Sequence, residues 1–485
     1  MGKSKQKISV KKNYIYNLIY QWVALMVPLI TTPYVSRVLG ADGVGAYSYT
    51  YSMATYFVMF GNLGVNEFGK IQVAGAREDK REISRLFWEL VLFKIVMTTG
   101  SLAVFWISIG VHSRYLKLYL VLGLYFVASM TDIAWFLQGL EEFKKTAFRS
   151  CFIKIAGVVL ILGFVRNPSD IYKYAAILHI STILGNMALW GYMPRYLVRV
   201  PLKELRIFRH TRQSLVFFLP VVAASVYSVM DKNMIGWITR SEAENGYYEQ
   251  AHKIQQTILQ AVLALSAVLL PRITYLFKEE KLDEIRGMIN RLLQFVAFLS
   301  FPLAFGLMGV ADKLVPWFLG EEFLPSIPLL QIFSLLILII AYDDFIGLQC
   351  LIARGRQKDY NKGIVIGAAV NFTLNWFFIP WLGSRGAALS SVISEIVILF
   401  VFVYYGREFL EKRSILRFSA RYFLAAAVML LCVVAAGRLV EGPVGMVVQV
   451  LAGGIVYFAA CLVLGDKLIP EYLTKVWERF RRKRG

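Results

Sequence analysis

The chain has 485 residues, of which 57% are hydrophobic, a mean hydropathy of +0.56 and a formal net charge of +21. Apolar runs of about 18 residues or more recur along its whole length, which excludes a soluble globular enzyme and indicates an integral membrane protein. The four cysteines, Cys151, Cys350, Cys432 and Cys461, are scattered through apolar runs with neither CxxC nor metal-ligand spacing, so neither a redox centre nor a metal site is expected.

The N-terminus "MGKSKQKISVKKNYIYNLIYQW" starts basic, and its apolar run continues through Leu39 without a small-residue cleavage pattern. It therefore predicts a retained first span rather than a signal peptide. Further along, "PLITTPYVSRVLGADGVGAYSYTY" (28–51) carries Pro28 and Pro33, which predict a bent helix, and Gly40, Gly43 and Gly45, which predict a tight turn at the outer surface. Apolar stretches fall at 13–38, 43–64, 84–111, 116–137, 147–165, 171–193, 213–238, 247–271, 288–311, 325–352, 362–380, 386–406, 417–438 and 443–465. The expected fold is an all-α polytopic membrane protein of about fourteen transmembrane helices.

With the N-terminus placed in the cytoplasm, 40 Lys and Arg residues fall in tails and connections on that side, against 9 on the other. This is the positive-inside pattern, and it puts both termini in the cytoplasm. The basic C-terminal "WERFRRKRG" is then accounted for by anionic lipid headgroups, and no nucleic-acid partner is expected.

Short words repeat six spans apart. "DIAWFLQGL" (132–140) matches "DDFIGLQCL" (343–351), pairing Asp132 with Asp343 and Gln138 with Gln349. "MVPLI" (26–30) faces "FLPVV" (218–222), and "GVGAYSYTYSM" faces "AENGYYEQAHKI". An even separation gives both halves the same orientation in the membrane. The expectation is two six-helix bundles related by pseudo-two-fold symmetry, 1–193 and 213–406. A basic cytoplasmic linker, 194–212, long enough to permit rocking, joins them, and 407–485 adds a helix pair and tail. No GxxxxGK[ST] occurs, "GADGVG" lacks the strand and helix of a dinucleotide site, and no two of the four histidines are spaced i, i+4. The longest connections are too short for a catalytic domain, so no enzyme activity and no cofactor are expected.

"VSRVLGADGVGAYSYTYSMATYF", "GNLGVNEFGKIQVAGAREDKREISRL" and "DKNMIGWITRSEAENGYYEQAHKI" resemble the Wzx-type polysaccharide flippases of the multidrug/oligosaccharidyl-lipid/polysaccharide exporter superfamily. The resemblance implies two six-helix bundles around a central cavity in a bacterial cytoplasmic membrane. It also implies transfer of an undecaprenyl-pyrophosphate-linked oligosaccharide from the cytoplasmic to the outer leaflet, with membrane lipids, polysaccharide polymerase and glycosyltransferases as partners. A drug/cation antiporter, a peptidoglycan-precursor flippase and a non-transporting assembly scaffold stand as alternatives.

Charges within spans are costly, so each needs a depth and a partner. Lys94 and Lys154 lie within snorkelling reach of the cytoplasmic ends of their spans. Arg37, Asp231, Lys232, His252 and Lys253, near the outer ends of spans one, seven and eight, form the candidate substrate-binding set. There Arg37, Lys232 and Lys253 would receive the anionic headgroup, and Asp231 and His252 would hold those bases. Candidate coupling or gating residues are Asp132 and Asp343, in symmetry-related positions with Lys144, Lys145, Arg354 and Arg356 as plausible partners, and Glu395, mid-span in the twelfth stretch, as a proton or sodium site.

Overall fold

The computed structural model describes residues 10–110, 114–440, 442–466 and 468. For 10–22, 24, 25, 109, 110, 143, 219–221, 223–228, 264–268 and 271 it describes the backbone alone. The first nine residues and "WERFRRKRG" lie outside the described residues. All regular structure among the described residues is helical.

In chain order the helices are α1 (Val10–Asn62), α2 (Val65–Ala76), α3 (Lys80–Phe105), α4 (Leu116–Thr131), α5 (Ala134–Gly139), α6 (Phe143–Phe164), α7 (Ile171–Trp190) and α8 (Thr211–Thr239). They continue with α9 (Glu242–Lys278), α10 (Leu282–Phe318), α11 (Ser326–Ile346), α12 (Gln357–Leu382), α13 (Ser384–Gly406), α14 (Lys412–Leu439) and α15 (Gly442–Val463). Each of the fourteen apolar stretches coincides with a helix, the first two fused into α1. Among the described residues, nine helices are long and apolar enough to cross a membrane. The connection after the second span contains a further helix, α2, and α3 opens on Asp79, whose carboxylate accepts from the backbone N–H groups of Arg81 and Glu82 at 2.8 and 3.1 Å.

Both prolines of the first span sit inside a continuing helix. The break is at Gly40 alone, whose φ of 68° and ψ of 179° no β-carbon-bearing residue adopts cheaply. Gly43 and Gly45 stay helical, so the expected three-glycine turn narrows to one residue. Gly45 serves close approach instead. A β-carbon there would lie 1.7 Å from the carbonyl oxygen of Glu242, and one on Gly246 would lie 2.1 Å from that of Ala41. The contacts are reciprocal, each glycine facing the carbonyl four residues before the other.

The chain divides into two compact units, Met1–Gly246 and Tyr247–Gly485. The first has aromatic cores around Phe68, Phe87, Trp135 and Phe136, and around Phe105, Tyr119 and Phe126. The second is built around Leu293, Phe301, Phe345, Phe402 and Tyr422, with α14 and α15 packed on α10. Lipid tails are as apolar as leucine, so such helices associate through close packing and polar contacts. Between α12 and α13, Gly363 and Gly367 admit Phe402 and Ile398, and Asn375 donates to Asn371 at 3.1 Å. The division by packing keeps α8 with the first unit, where it contacts α1 and α2, whereas the division by internal repeat starts a new bundle at 213.

The 194–212 segment lies against α3. Val198 N–H donates to Ser84 Oγ at 2.9 Å, Arg206 N–H to Glu89 Oε1 at 2.9 Å, and His210 Nε2 meets Glu89 Oε2 at 2.8 Å. Arg81 adds an exposed ion pair to Glu204 at 3.0 Å. Glu89 is 1% exposed, so this segment is strapped to a buried carboxylate rather than loose. Glu89→Ala is expected to destabilise the protein by about 1–3 kcal/mol because two donors lose their acceptor, whereas Glu204→Ala costs less than about 1 kcal/mol; thermal unfolding in detergent compares them. Gly45→Val is expected to cost about 1–3 kcal/mol or more through forced separation of α1 and α9 in the same assay.

Candidate functional site

The first unit contains a break that a lipid-exposed helix would not tolerate. α4 ends at Thr131, Asp132 and Ile133 are non-helical, and α5 begins at Ala134. The carbonyls and N–H groups freed by such a break need partners, and here side chains supply them. Asn186 Nδ2 donates to the carbonyl of Ala128 at 2.8 Å, Trp190 Nε1 to that of Thr131 at 2.9 Å, and Lys94 Nζ to that of Asp132 at 3.1 Å. The Asp132 carboxylate accepts from the N–H of Ala134 at 3.0 Å and so caps α5.

The same residues form a polar wall. Arg149 Nη2 lies 3.2 Å from Asp132 Oδ1 and 2.5 Å from Asn186 Oδ1. Lys94 Nζ also donates to Asn66 Oδ1 at 3.0 Å. Lys94 is 1% exposed, so its amine is held by these oxygens and does not snorkel out as its position in the sequence suggested. Of the predicted neighbours of Asp132, Lys145 is occupied otherwise. Lys145 bonds to Glu142 and Tyr196, and the partner of Asp132 is Arg149, one helical turn further along α6.

This wall bounds a cavity of about 510 Å³ whose other face is aromatic. The rings of Tyr51 and Tyr125 lie 4.9 Å apart between centroids, and His179 stacks on both, at 5.9 and 5.1 Å. Tyr47 adds a fourth ring to this cluster, stacked 5.6 Å from Tyr51. His179 is 5% exposed, and its Nε2 has no hydrogen-bond partner among the described residues. Arg149, His179 and Asn186 were not singled out from sequence. A signal was present: His179, Thr182 and Asn186 recur at i, i+3 and i+7, a polar stripe on an otherwise apolar helix.

The second unit joins two candidate coupling residues. The side chains of Asp343 on α11 and Glu395 on α13 are hydrogen-bonded to each other. Both are buried. A hydrogen bond between two carboxyl groups requires a proton on one of them, which makes the pair a candidate proton site. The cations expected near Asp343 are engaged elsewhere, Arg354 with Glu408 at 2.6 Å and Arg356 with Asp359 at 2.7 Å. Beyond Asp343 the helix passes into a π-helical turn, Gly347–Ile352, a geometry frequent at functional positions.

The candidate substrate-binding residues are divided between the units. Arg37, on the exposed surface of α1, and the adjacent Asp231 and Lys232 of α8 belong to the first. Asp231 is buried beside Tyr56 and Asn233, and Ser52 donates to Asn233 at 2.6 Å. His252 and Lys253 of α9 belong to the second, where His252 stacks 5.9 Å from Tyr248 and meets Phe333 edge-on at 5.6 Å.

Residues 10–277 match the family described as polysaccharide biosynthesis protein. A relative in Escherichia coli K12, named "Putative O-antigen transporter", is 21% identical over 409 residues, covering 83% of this chain and 98% of that protein. Among solved structures, a lipid II flippase MurJ in an inward closed conformation superposes with a TM-score of 0.74 at 15% identity, covering 94% of this chain and 99% of that one. An inward-facing multidrug resistance MATE family transporter of the MOP superfamily gives 0.64 at 14% identity, covering 84% and 98%. These structures share the fold, and the match over more than half of the sequence shows the family. The chain is a multi-pass membrane protein that belongs to the polysaccharide biosynthesis protein family, in the Wzx-type branch of the multidrug/oligosaccharidyl-lipid/polysaccharide exporter superfamily.

Proposed function

We propose that this protein is a flippase that carries undecaprenyl-pyrophosphate-linked oligosaccharide from the cytoplasmic to the outer leaflet of a bacterial membrane by alternating access. The observation that carries the reading is the polar and aromatic cavity held inside membrane helices. A sugar–pyrophosphate head cannot enter hydrocarbon unaided, because burying an unpaired charge costs many kcal/mol. It needs a hydrated, hydrogen-bonding interior, whereas the polyprenyl tail stays in lipid. Family membership and the name of the Escherichia coli relative support the same cargo class. In this reading Arg37, Lys232 and Lys253 receive the pyrophosphate, Arg through its planar fork and Lys as a point charge. Asp231 and His252 hold those cations when no substrate is bound. The proton between Asp343 and Glu395 is the coupling element, and Asp132 serves through its pair with Arg149. The basic connections face the cytoplasm, and polysaccharide polymerase and glycosyltransferases are the expected protein partners.

A drug/cation antiporter is favoured by one observation, the buried carboxyl pair of Asp343 and Glu395. The cavity of the first unit opposes it, because Asp132, the carboxylate in its lining, is already paired with Arg149.

Purified protein in vesicles is expected to flip a defined lipid-linked glycan in a leaflet-resolved assay; cation transport without glycan flipping would establish the antiporter instead. Joint neutralisation of Arg37 and Lys253 is expected to slow flipping by about tenfold or more, the equivalent of about 1.4 kcal/mol, with Arg37→Lys retaining part of the rate. Glu395→Gln preserves a hydrogen bond to Asp343 but not a titratable pair. It is expected to fold and to slow transport with loss of pH or gradient dependence, and an unchanged rate would remove the coupling assignment. A cysteine at Lys203 is expected to be labelled only from the cytoplasm and one at Arg240 only from outside.

A further inference from the structure

We propose that the cavity among α1, α4, α6 and α7 is a saccharide subsite that takes pyranose rings of the cargo, a reading that rests on the flippase function for the origin of its ligand. Three independent features of this cavity converge on a sugar.

The first is an unmet hydrogen bond. His179 is buried, lines the cavity with its ring, and keeps Nε2 without a partner among the described residues and closed off from solvent, so that a turn of the imidazole is what brings it to a ligand. Leaving such a group unsatisfied is costly, and a ligand hydroxyl, which both donates and accepts, satisfies it in either tautomer. The second is the pairing of flat aromatic faces with polar edges. Tyr51, Tyr125 and His179 form a triangular cluster of rings, with His179 stacked on both tyrosines, and Asp132, Arg149 and Asn186 line the same cavity as acceptor, donor and amide. A pyranose has that dual character, with C–H groups on its faces and hydroxyls around its rim. Adjacent hydroxyls can donate to the carboxylate and accept from the guanidinium at once. The third is preorganisation. Asn186 and Asp132 are held in place by the break between α4 and α5, where each also bonds to freed backbone, so little side-chain ordering is left for the ligand to pay.

Size agrees. About 510 Å³ falls within the roughly 300–1,000 Å³ that holds a drug-sized molecule, the class of a short oligosaccharide. Other parts of the cargo fit worse. A polyprenyl segment would strip water from Asp132, Arg149 and His179 without replacing their hydrogen bonds. A pyrophosphate would have to compete with Asp132 for Arg149 and with Asn66 and the Asp132 carbonyl for Lys94.

The test uses the full chain in lipid nanodiscs and two probes. One is the free oligosaccharide repeat released by mild acid from the host's polyprenyl carrier, and the other is undecaprenyl pyrophosphate without sugar. The wild type is expected to bind the free glycan. His179→Ala and Tyr125→Leu are expected to weaken that binding by about tenfold or more, while Tyr125→Phe, which keeps the ring, stays near wild type. Binding of undecaprenyl pyrophosphate is expected to be unchanged in all three variants, which also shows that they are folded. His179→Gln, which retains a hydrogen-bonding group, is expected to fall between wild type and His179→Ala and stands in for it if His179→Ala loses both probes. The subsite is overturned if the wild type binds no free glycan, if glycan affinity is indifferent to these variants, or if they weaken the pyrophosphate probe selectively. The two readings fail separately. Glycan binding that depends on His179 without flipping of lipid-linked glycan would remove the function and keep the subsite. Equal flipping by wild type, His179→Ala and Tyr125→Leu, with no glycan binding, would remove the subsite and keep the function.

Discussion

A backbone broken inside a membrane must have every freed carbonyl and N–H satisfied by protein, because hydrocarbon offers no substitute and each orphan costs several kcal/mol. The first unit is organised by that requirement. Ending α4 at Thr131 releases the carbonyls of Ala128, Thr131 and Asp132, and meeting them brings Asn186 and Trp190 from α7 and Lys94 from α3 to one point. Once these polar groups are gathered, Arg149 has a counter-ion in Asp132 and an amide neighbour in Asn186, and the space beside them is lined by hydrogen-bonding groups rather than filled by apolar side chains. The cavity is therefore a consequence of how the break is satisfied. Removing the break would remove the reason for the cluster.

The same sequence word has a different outcome in the second unit. Asp343 corresponds to Asp132 in the repeat, yet the helix there runs on to Ile346 and absorbs its irregularity in the π-helical turn Gly347–Ile352. The helix continues through Asp343, and the nearby Arg354 and Arg356 pair with Glu408 and Asp359. The carboxyl group finds Glu395 on the neighbouring helix instead. One repeat position thus yields an ion pair at a polar cavity in one unit and a buried pair of carboxyl groups in the other.

Small residues set the remaining geometry. Gly40 alone supplies the left-handed φ that separates the first two spans, and the reciprocal pair Gly45 and Gly246 lets α1 and α9 meet backbone to backbone. In a solvent where apolar side chains gain nothing by leaving lipid for one another, this closeness of approach is itself the source of association. The 194–212 segment follows a different rule. It is polar and is tied by backbone donors to the buried carboxylate of Glu89.

Much of the architecture was legible in the amino-acid sequence, because the number, order and approximate limits of membrane helices depend on hydrophobic length, a local and additive property. The repeat was legible for the same reason, since the words around Asp132 and Asp343, or Gly45 and Gly246, can be compared without knowing where they fold. Asp343 and Glu395 could each be picked out as an intramembrane charge, but their hydrogen bond could not. It joins residues 52 positions apart on α11 and α13 and depends on the rotation of both helices. Lys94 was misjudged from depth alone, because whether an amine reaches water or an internal oxygen depends on which neighbours the fold provides. Arg149, His179 and Asn186 lay hidden for a related reason. Only the break at Asp132, and the packing of α6 and α7 against it, turns ordinary polar residues of two helices into the lining of one cavity. Hydrophobic length therefore settled how many times the chain crosses the membrane, and tertiary packing alone decided which of its polar groups meet.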